Sequence, residues 1–405
     1  MPEAVIVATA RSPIGRANKG ALVNARPDDL AAQIIKAVMA KVPTLDPDLV
    51  EDLILGCGQP AGEAGYNLGR VAAILGGLPN APGVTVNRYC SSSLQTIRMA
   101  AHAIKAGEGD VFVAAGVETV SRFIYGASDV GPHNTVFATA EERTTARTAG
   151  GQGTWASIEG TYPDVYIAMG QTAENVAEFE NVGREEMDEF AALSQQRATA
   201  SQENGFWEHE ITPVTVTDGE GNTTTVTKDD GIRAGTTAEG LSGLKPVFRP
   251  DGKITAGNAC PLNDGAAAVV VMSDTKAEAL GITPLARIIS SGVSALDPEI
   301  MGMGPVGASR QALARSGLSI DDIDLVEINE AFAAQVIPSA KQLGISWDKL
   351  NVNGGSIALG HPFGMTGARI MTTLIHGLQE SGGRYGLETM CVGGGQGMAM
   401  IIERL

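Results

Sequence analysis

The sequence has little of the positive charge that nucleic-acid binding requires. It also has none of the long apolar runs that membrane insertion requires. Its 405 residues hold 29 Lys and Arg against 46 Asp and Glu, a formal net charge of −17. This balance argues against binding to nucleic acid or to an anionic membrane, since both attract clustered positive charge. No stretch approaches the roughly 20 apolar residues of a membrane-spanning helix. A small basic patch for a phosphorylated ligand stays compatible with this composition.

Cysteine is also scarce, and its spacing excludes a disulfide framework. The four residues, Cys57, Cys90, Cys260 and Cys391, form no C-x-x-C pair. Such usage is typical of a reduced compartment. Residues 2–7 lack the basic and apolar regions of a secretory signal. We therefore predict a cytoplasmic protein.

What the chain does have is an alternation of strand-like and helix-like segments. This pattern predicts an α/β fold made of β-α-β units, with a largely parallel sheet covered by helices. In the first 118 residues, strands are predicted at 4–9, 49–55, 83–87 and 110–115, and helices at 28–42, 67–75 and 91–106.

The same order returns near the C-terminus, which indicates an internal duplication at about half the chain length. Two similar halves can pack together so that their strand ends meet at one site. In the second half, strands are predicted at 266–272, 286–291, 324–328, 350–352, 388–392 and 398–403, and helices at 307–316, 332–343 and 366–379.

Residues 119–257 interrupt the repeat. They are polar and rich in turn formers, with helices predicted at 171–180 and 184–203 and a hairpin at 211–217 and 223–228. Such a segment is typical of an inserted lid or ligand-binding region. The predicted organisation is an N-terminal half 1–118 completed by about 258–280, an insertion 119–257, and a C-terminal half 281–405.

Cys90 is a candidate nucleophile because it follows a predicted strand and precedes a predicted helix. The free N–H groups at a helix start favour a thiolate. A buried structural thiol is an equally good interpretation of the position alone. The serines at 91–93 are plausible N-cap and first-turn residues. One of them could instead be the nucleophile, although no G-x-S-x-G context surrounds it.

His361 could supply the base that such a thiol needs, although a lone histidine is more often structural. It lies in a loop of small residues before a predicted helix. Asn329 and Glu330 follow the predicted strand 324–328, where the default role is to cap the next helix.

Cys391 lies at the end of another predicted strand, just before the glycines at 393–395. These glycines fit a hairpin turn that needs positive φ. Alternatively, their backbone N–H groups stabilise an oxyanion while the Cys391 thiol acts as an acid or base.

Taken together, these motifs resemble those of the thiolase family, and the resemblance covers essentially the whole chain. The run NRYCSS at 87–92 is similar to the nucleophile motif of that family. The runs NEAFA at 329–333, GHP at 360–362 and CVG at 391–393 are similar to its other active-site motifs. The family implies two duplicated βαβαβαββ halves in a five-layered αβαβα arrangement with an inserted loop domain. Further similar segments are TAGN at 255–258, NDGAA at 263–267 and MGP at 303–305.

The resemblance implies CoA-dependent cleavage of a 3-ketoacyl-CoA, or the reverse Claisen condensation, through a Cys90 acyl-enzyme. His361 would take the thiol proton, and Asn329, through a bound water, would help it polarise a thioester oxygen. Cys391 would move a proton to and from the α-carbon of acetyl-CoA. The backbone N–H groups of Cys90 and Gly393 would form an oxyanion hole.

The resemblance further implies that the insertion binds CoA as a substrate, with no permanently bound cofactor, no metal, and a homodimer or homotetramer as the assembly. Ser93, Ala168 and Cys260 depart from residues common in the family, and they favour a degradative 3-ketoacyl-CoA thiolase of the fatty-acid β-oxidation type. The candidate CoA contacts are Met169, Phe248, Ala256, Cys260 and Arg233, with Lys228 and Lys245 as further phosphate partners.

Two other functions remain open at this point. A decarboxylating condensing enzyme of the ketoacyl-synthase type shares the duplicated fold but has histidine or asparagine where Cys391 stands. A catalytically silent lipid-carrier relative is less compatible with an intact set of Cys90, His361 and Cys391.

Overall fold

The strands follow the predicted alternation closely, and most differ from the predicted bounds by only a few residues. The structure is a computed structural model, and it describes residues 2–123 and 131–405. In chain order the strands are β1 (Ala4–Arg11), β2 (Gly15–Arg16), β3 (Asp52–Gly56), β4 (Gly83–Val86), β5 (Val111–Thr119), β6 (Val214–Thr217), β7 (Thr223–Val226), β8 (Asn263–Ser273), β9 (Ala286–Ala295), β10 (Leu325–Ile328), β11 (Tyr385–Val392) and β12 (Gln396–Arg404).

The helices begin where the sequence supplies start signals. Pro27 opens the first helix, a position where its missing N–H costs nothing. The Asn67 side chain accepts from the N–H of Arg70 and caps the second. The helices are α1 (Pro27–Ala40), α2 (Leu68–Leu75), α3 (Ser92–Ala106), α4 (Ala138–Thr148), α5 (Met169–Phe179), α6 (Arg184–Glu203), α7 (Phe206–Glu210), α8 (Ala238–Ser242), α9 (Asp274–Leu280), α10 (Gly304–Ser316), α11 (Ala333–Leu343), α12 (Ser356–Leu359) and α13 (Thr366–Ser381).

The strand order repeats in the two halves and confirms the duplication. Along the sheet it runs β10-β11-β12-β9-β1-β8-β5-β3-β4. The two-residue β2 pairs with β8 off this path, so the first to fifth strands of the N-terminal half are counted as β1, β3, β4, β5 and β8. The first, fifth, fourth and second strands of each half follow one another outward from the centre. In the N-terminal half the third strand, β4, comes next, whereas in the C-terminal half its place is taken by a single parallel bridge between Val326 and Leu350. The first strands of the two halves, β1 and β9, pair antiparallel and join the halves.

The sheet is mixed, so the prediction of a largely parallel sheet is wrong. Between the named strands of the described residues, parallel pairing occurs only for β3 with β4 and β5, and for β10 with β11. In each half the last strand, β8 or β12, runs antiparallel to both of its neighbours. The last two strands of each half are joined by a reversal of the chain instead of a helical crossover, and only a crossover keeps neighbouring strands parallel.

Three buried clusters of side chains separate the layers of the fold. One packs α1 against the N-terminal strands and includes Leu30 and Ile34. The central cluster lies between the halves and includes Ile97 of α3 and Met371 of α13. The third, with Val336 of α11, covers the C-terminal strands. Helices therefore lie outside both halves and between them, which matches the five-layered arrangement. The central layer brings α3 and α13, the two helices that follow the Cys90 and His361 motifs, into contact.

The segment between β5 and β8 contains the predicted helix pair, α5 and α6, and the predicted hairpin, in which Val214 pairs with Val226. A buried ion network attaches this segment to the N-terminal half. Nε of Arg11 donates to Glu210 at 2.8 Å, and Nη1 of Arg11 donates to Asp229 at 2.9 Å. The predicted domain bounds stay a prediction. Among the described residues, no helix is long and apolar enough to cross a membrane.

Candidate active site

Cys90 lies in a short 3-10 turn, Tyr89–Ser91, between β4 and α3. Tyr89 has a backbone φ of +43°, which residues other than glycine rarely adopt. The backbone is therefore strained directly before the Cys90 thiol. The turn packs against β11 and α13. A Cβ on Gly367 would lie 2.3 Å from the backbone nitrogen of Leu94, so this glycine permits the close approach of α13 to α3. The fold thus presses the Cys90 turn against the C-terminal half.

The serines after Cys90 hold the predicted N-cap and first-turn positions, but their hydroxyls do not cap α3. Ser91 forms no side-chain cap bond, because its hydroxyl donates back to the carbonyl of Arg88 at 3.2 Å. The Ser93 hydroxyl instead accepts from the backbone N–H of Ala368 at 2.9 Å. Through this bond, Ser93 ties the start of α3 to α13.

His361 is buried, and its ring is held from both sides. Its Nδ1 lies 2.6 Å from the Thr366 hydroxyl, which itself donates to the carbonyl of Pro362 at 2.8 Å. Because that hydroxyl proton is engaged, Thr366 accepts, and Nδ1 carries the imidazole proton. The other nitrogen, Nε2, lies 3.3 Å from Nδ2 of Asn329 and is left as the acceptor. The backbone N–H of His361 donates to Asn263 at 2.9 Å. Thr366 begins α13 five residues after His361, and no sequence motif marks it as a site residue.

Asn329 and Glu330 do not cap α11, so their default interpretation is wrong. That helix has Phe332 as its N-cap residue and no side-chain cap bond. Asn329 turns instead toward His361, and the Glu330 carboxylate accepts from the hydroxyl of Ser194 at 2.6 Å and the N–H of Ile357 at 3.1 Å. Both residues thus face the interior, where β10 ends.

Cys391 is fully buried on β11 opposite Gly397, and the glycines after it make the turn into β12. Gly394 and Gly395 both have φ of +75°, as the hairpin interpretation requires. The backbone N–H of Gly393 also reaches the sulfur of Cys90. The two interpretations of the glycine run are therefore compatible, since one turn closes the hairpin and presents a donor.

Burial dominates the electrostatics of the site. It raises the pKa of the Cys90 thiol to about 12, against the opposing effect of the N–H groups of Gly393 and Cys90 itself. The backbone N–H groups favour the thiolate, as expected, but the lost solvation outweighs them in the resting site. Burial, followed by the charge of Arg369, lowers the pKa of His361 to about 3. Thiol and imidazole are both neutral at rest. Burial, and then the repulsion that a Cys90 thiolate would exert, also raises the pKa of Cys391 and of Cys260.

Glu118 joins the two sides of the site, and no sequence motif marks it as a site residue. It lies near the end of β5, and its carboxylate accepts from the backbone N–H groups of Gly58 at 2.8 Å, Gln59 at 3.2 Å and Gly364 at 2.9 Å. Burial raises its pKa to about 7. Gly364 belongs to the loop that carries His361, so one buried carboxyl group clamps that loop to the N-terminal strands.

The candidate CoA contacts fall into two places. Phe248 packs on Gly170, the residue that follows Met169. The Phe248 ring lies edge-on to that of Phe332, with 6.3 Å between the ring centroids. The backbone N–H of Cys260 donates to the carbonyl of Ala331 at 3.0 Å. Ala256 is exposed on the same loop as Cys260. Arg233 is exposed and bonded through its backbone N–H to Gln195 on α6.

Models of protein families match nearly the whole chain: the thiolase N-terminal domain at residues 4–275 and the thiolase C-terminal domain at residues 282–404. The chain belongs to the thiolase family. It is 45% identical over 414 residues to the 3-oxoadipyl-CoA/3-oxo-5,6-dehydrosuberyl-CoA thiolase of Escherichia coli strain K12, with 100% of each chain covered. It is 43% identical over 410 residues to a 3-ketoacyl-CoA thiolase of Aeromonas salmonicida strain A449, again with 100% of each chain covered.

Among solved structures, the chain is similar to the Bacillus anthracis acetyl-CoA acetyltransferase. The TM-score is 0.85 at 39% identity, and the match covers 100% of this chain and 99% of that one. Together with the family assignment, this likeness identifies the protein as an acyltransferase of the thiolase fold.

Proposed function

We propose that this thiolase cleaves 3-ketoacyl-CoA with CoA, giving acetyl-CoA and a shortened acyl-CoA, through an acyl group carried on Cys90. The observation that carries the proposal is the packing of the Cys90 turn of the N-terminal half against β11 and α13 of the C-terminal half. The backbone N–H of Gly393, just after β11, opposes the rise that burial causes in the pKa of the Cys90 thiol. His361, in the loop before α13, is in contact with Asn329. These contacts support a site that draws a nucleophile, a base, an amide and an N–H donor from four separate motifs.

In the first step, the Cys90 sulfur attacks the 3-keto carbon while Nε2 of His361 takes the thiol proton. Since both groups are neutral at rest, proton transfer accompanies the attack. The new oxyanion is stabilised by donors at the site. The bond between C2 and C3 then breaks, and its electron pair passes to C2 as the enolate of acetyl-CoA.

Cys391 donates the proton that C2 needs, and acetyl-CoA leaves. The backbone N–H groups of Cys90 and Gly393 would hold the oxygen of the acyl-enzyme thioester. The CoA thiol gives its proton to the Cys391 thiolate and its sulfur attacks that carbonyl. As the bond to Cys90 breaks and the shortened acyl-CoA leaves, the His361 imidazolium returns its proton to the Cys90 sulfur. Two half-reactions with a covalent intermediate predict ping-pong kinetics. CoA and acyl-CoA enter as substrates, and the proposal needs no permanently bound cofactor.

The 3-ketoacyl substrate belongs to one of two classes. An alkyl chain would make this an enzyme of the fatty-acid β-oxidation type, as the name of the Aeromonas salmonicida relative suggests. A chain that ends in a carboxylate is the second candidate, because relatives of 43 to 45% identity are named for β-ketoadipyl-CoA. We further propose a cytoplasmic homodimer or homotetramer.

The experiment is a profile of CoA-dependent cleavage across 3-ketoacyl-CoAs of increasing length, with 3-oxoadipyl-CoA alongside. Cleavage of alkyl substrates above all others supports the β-oxidation type, and preference for 3-oxoadipyl-CoA supports the second class. Failure to cleave any of them would overturn the proposal. Condensation that requires a malonyl donor would favour a decarboxylating synthase. Binding of the acyl-CoA without turnover would favour a silent carrier.

A further inference from the structure

A chain of hydrogen bonds between buried side chains leads from Arg369 through Ser356 and Asn329 to His361, the proposed base. It approaches the His361 ring from the side opposite Thr366. We propose that Ser356 and Arg369 are positioning residues, which hold the Asn329 amide so that its Nδ2 faces Nε2 of His361. The inference rests on the proposed function of His361 as a base. Ser356, Asn329 and Arg369 are at most 1% exposed.

The direction of this chain follows from what each group can donate. Nη2 of Arg369 lies 2.9 Å from the Ser356 hydroxyl, and a guanidinium only donates, so Ser356 accepts there. The serine proton then goes to Oδ1 of Asn329, at 2.6 Å. With Oδ1 occupied, Nδ2 is the group that faces His361. A flipped amide would leave the Ser356 proton without this acceptor.

Two further hydrogen bonds fix the backbone of the same asparagine. The Gln335 side chain donates to the carbonyl oxygen of Asn329 at 2.6 Å, and the Asn329 N–H donates to the carbonyl of Thr389 at 3.0 Å. The main chain is therefore held on both sides, and the amide orientation is the remaining freedom. Ser356 removes it.

This orientation matters because it selects the form of His361 that can accept a proton. An amide N–H directed at Nε2 favours the neutral ring with its proton on Nδ1, which Thr366 also favours. Nε2 has a single lone pair, so this contact of 3.3 Å is released when Nε2 takes the thiol proton of Cys90. An amide oxygen in the same place would favour a proton on Nε2 and the imidazolium. Arg369 and Thr366 thus act on one tautomer from opposite sides.

The chain lies in a densely charged interior. Arg369 faces Glu327 of β10, and the carboxyl pKa there is raised to about 8 by burial. Burial also raises the pKa of Glu388 of β11. The other titratable and charged groups around His361, Asn329 and Arg369 are Glu330 after β10, Arg11 of β1, Glu210 of α7, Arg197 of α6, and Cys90 and Glu118 of the N-terminal half.

The test is Ser356→Ala in the full-length enzyme. Loss of the hydroxyl frees the amide, so we expect kcat for thiolysis to fall about 10- to 100-fold with little change in the KM for CoA. We also expect the acid limb of the kcat profile to move up by about one pH unit, because the imidazolium gains an acceptor. Ser356→Thr, which restores a hydroxyl, should recover most of both effects.

A direct readout comes from nitrogen NMR of histidine, since the chain has only 5 histidines. The wild-type His361 signals should report a proton on Nδ1, and those of Ser356→Ala a mixture of tautomers. The matched control is Ser339→Ala on α11, another fully buried serine, whose hydroxyl donates to the carbonyl of Gly302 at 3.5 Å. It should leave the pH profile and the tautomer unchanged.

An unchanged profile and tautomer in Ser356→Ala would overturn the inference, as would a lower kcat without any change in either, which is the mark of a purely structural serine. If that variant does not fold, Arg369→Lys replaces it, with the same shift expected. His361→Ala separates this result from the function itself. Should His361→Ala retain thiolysis, the base is misassigned; should it be inactive while Ser356→Ala behaves as wild type, only the positioning role fails.

Discussion

The two halves of the molecule share one strand order but place different chemistry at equivalent strand ends. In the N-terminal half the fourth strand, β5, ends near Glu118, a carboxyl group that accepts three backbone N–H bonds. In the C-terminal half the fourth strand, β11, ends near Cys391, a thiol at the proposed reaction centre. The third-strand position leads to Cys90 in one half and to His361 in the other.

The difference indicates a division of work after duplication. The N-terminal half supplies the proposed nucleophile and the clamp that holds the His361 loop. The C-terminal half supplies the proposed base, the amide that faces it, the second thiol and the N–H of Gly393. Neither half contains the whole proposed site, so the proposed reaction depends on the face where the halves meet.

The strongest test of this division removes the nucleophile of the N-terminal half. We expect Cys90→Ala to reduce thiolysis by about ten-thousand-fold or more, because no acyl-enzyme can form. The measurement is the steady-state rate of CoA-dependent cleavage, with mass spectrometry of the acylated protein. Cys57→Ala is the control, since this buried thiol of the same half lies 3.6 Å from Glu118 and has no proposed part in the reaction. Retained activity in Cys90→Ala would place the nucleophile elsewhere.

Removing the thiol of the C-terminal half should have a smaller and more selective effect. For Cys391→Ser we expect proton exchange at the methyl group of acetyl-CoA to slow by about 10²- to 10⁴-fold, since a hydroxyl is a much weaker acid. Acylation of Cys90 by acetyl-CoA should be affected less. Exchange followed by NMR in deuterated water measures the first, and mass spectrometry the second. Exchange at the wild-type rate would contradict the role of Cys391, and Cys57→Ser provides the matched thiol control.

The pH dependence of alkylation tests whether burial, where the two halves meet, keeps Cys90 in its thiol form. With its pKa raised to about 12, Cys90 is a thiol throughout the neutral range. Its alkylation by iodoacetamide should therefore rise about tenfold per pH unit from roughly pH 6 to 9, because the thiolate is the reactive form. A plateau in this range would mean a resting thiolate paired with imidazolium. Cys90→Ala supplies the background rate.

The smallest expected effect concerns the clamp. The Glu118 pKa is raised from 4.5 to about 7, so its favourable contribution to folding is present below about pH 4.5 and is lost as the pH rises through 7. Glu118→Gln should remove this dependence and cost about 1–3 kcal/mol at low pH, because an amide cannot satisfy all three donors. Tm measured across this range is the readout.

The control for the clamp is Glu51→Gln, since Glu51 also accepts a backbone N–H, from Asp110, but at the surface of the same half. Its Tm should follow that of the wild type at every pH. If Glu118→Gln keeps the wild-type pH dependence, another group causes it.

Much of the fold was predictable from the sequence, because hydrophobic periodicity marks strands and helices locally. The positions of β4, α3 and α13 were found to within a few residues. The mixed sheet was not, since the reversal between β5 and β8 spans an insertion of more than a hundred residues that carries no local signal of strand direction.

The sequence by itself determined the duplication, the family and the candidate residues of the proposed reaction centre, because motifs at strand ends are local features. Only the tertiary structure decided how those residues behave. Burial sets the neutral state of Cys90 and His361, and solvation is a property of the packed chain. The directed contacts from Arg369 through Ser356 to Asn329 likewise exist only because α13, α12 and β10 meet in the interior. No spacing along the chain predicts which way an amide turns.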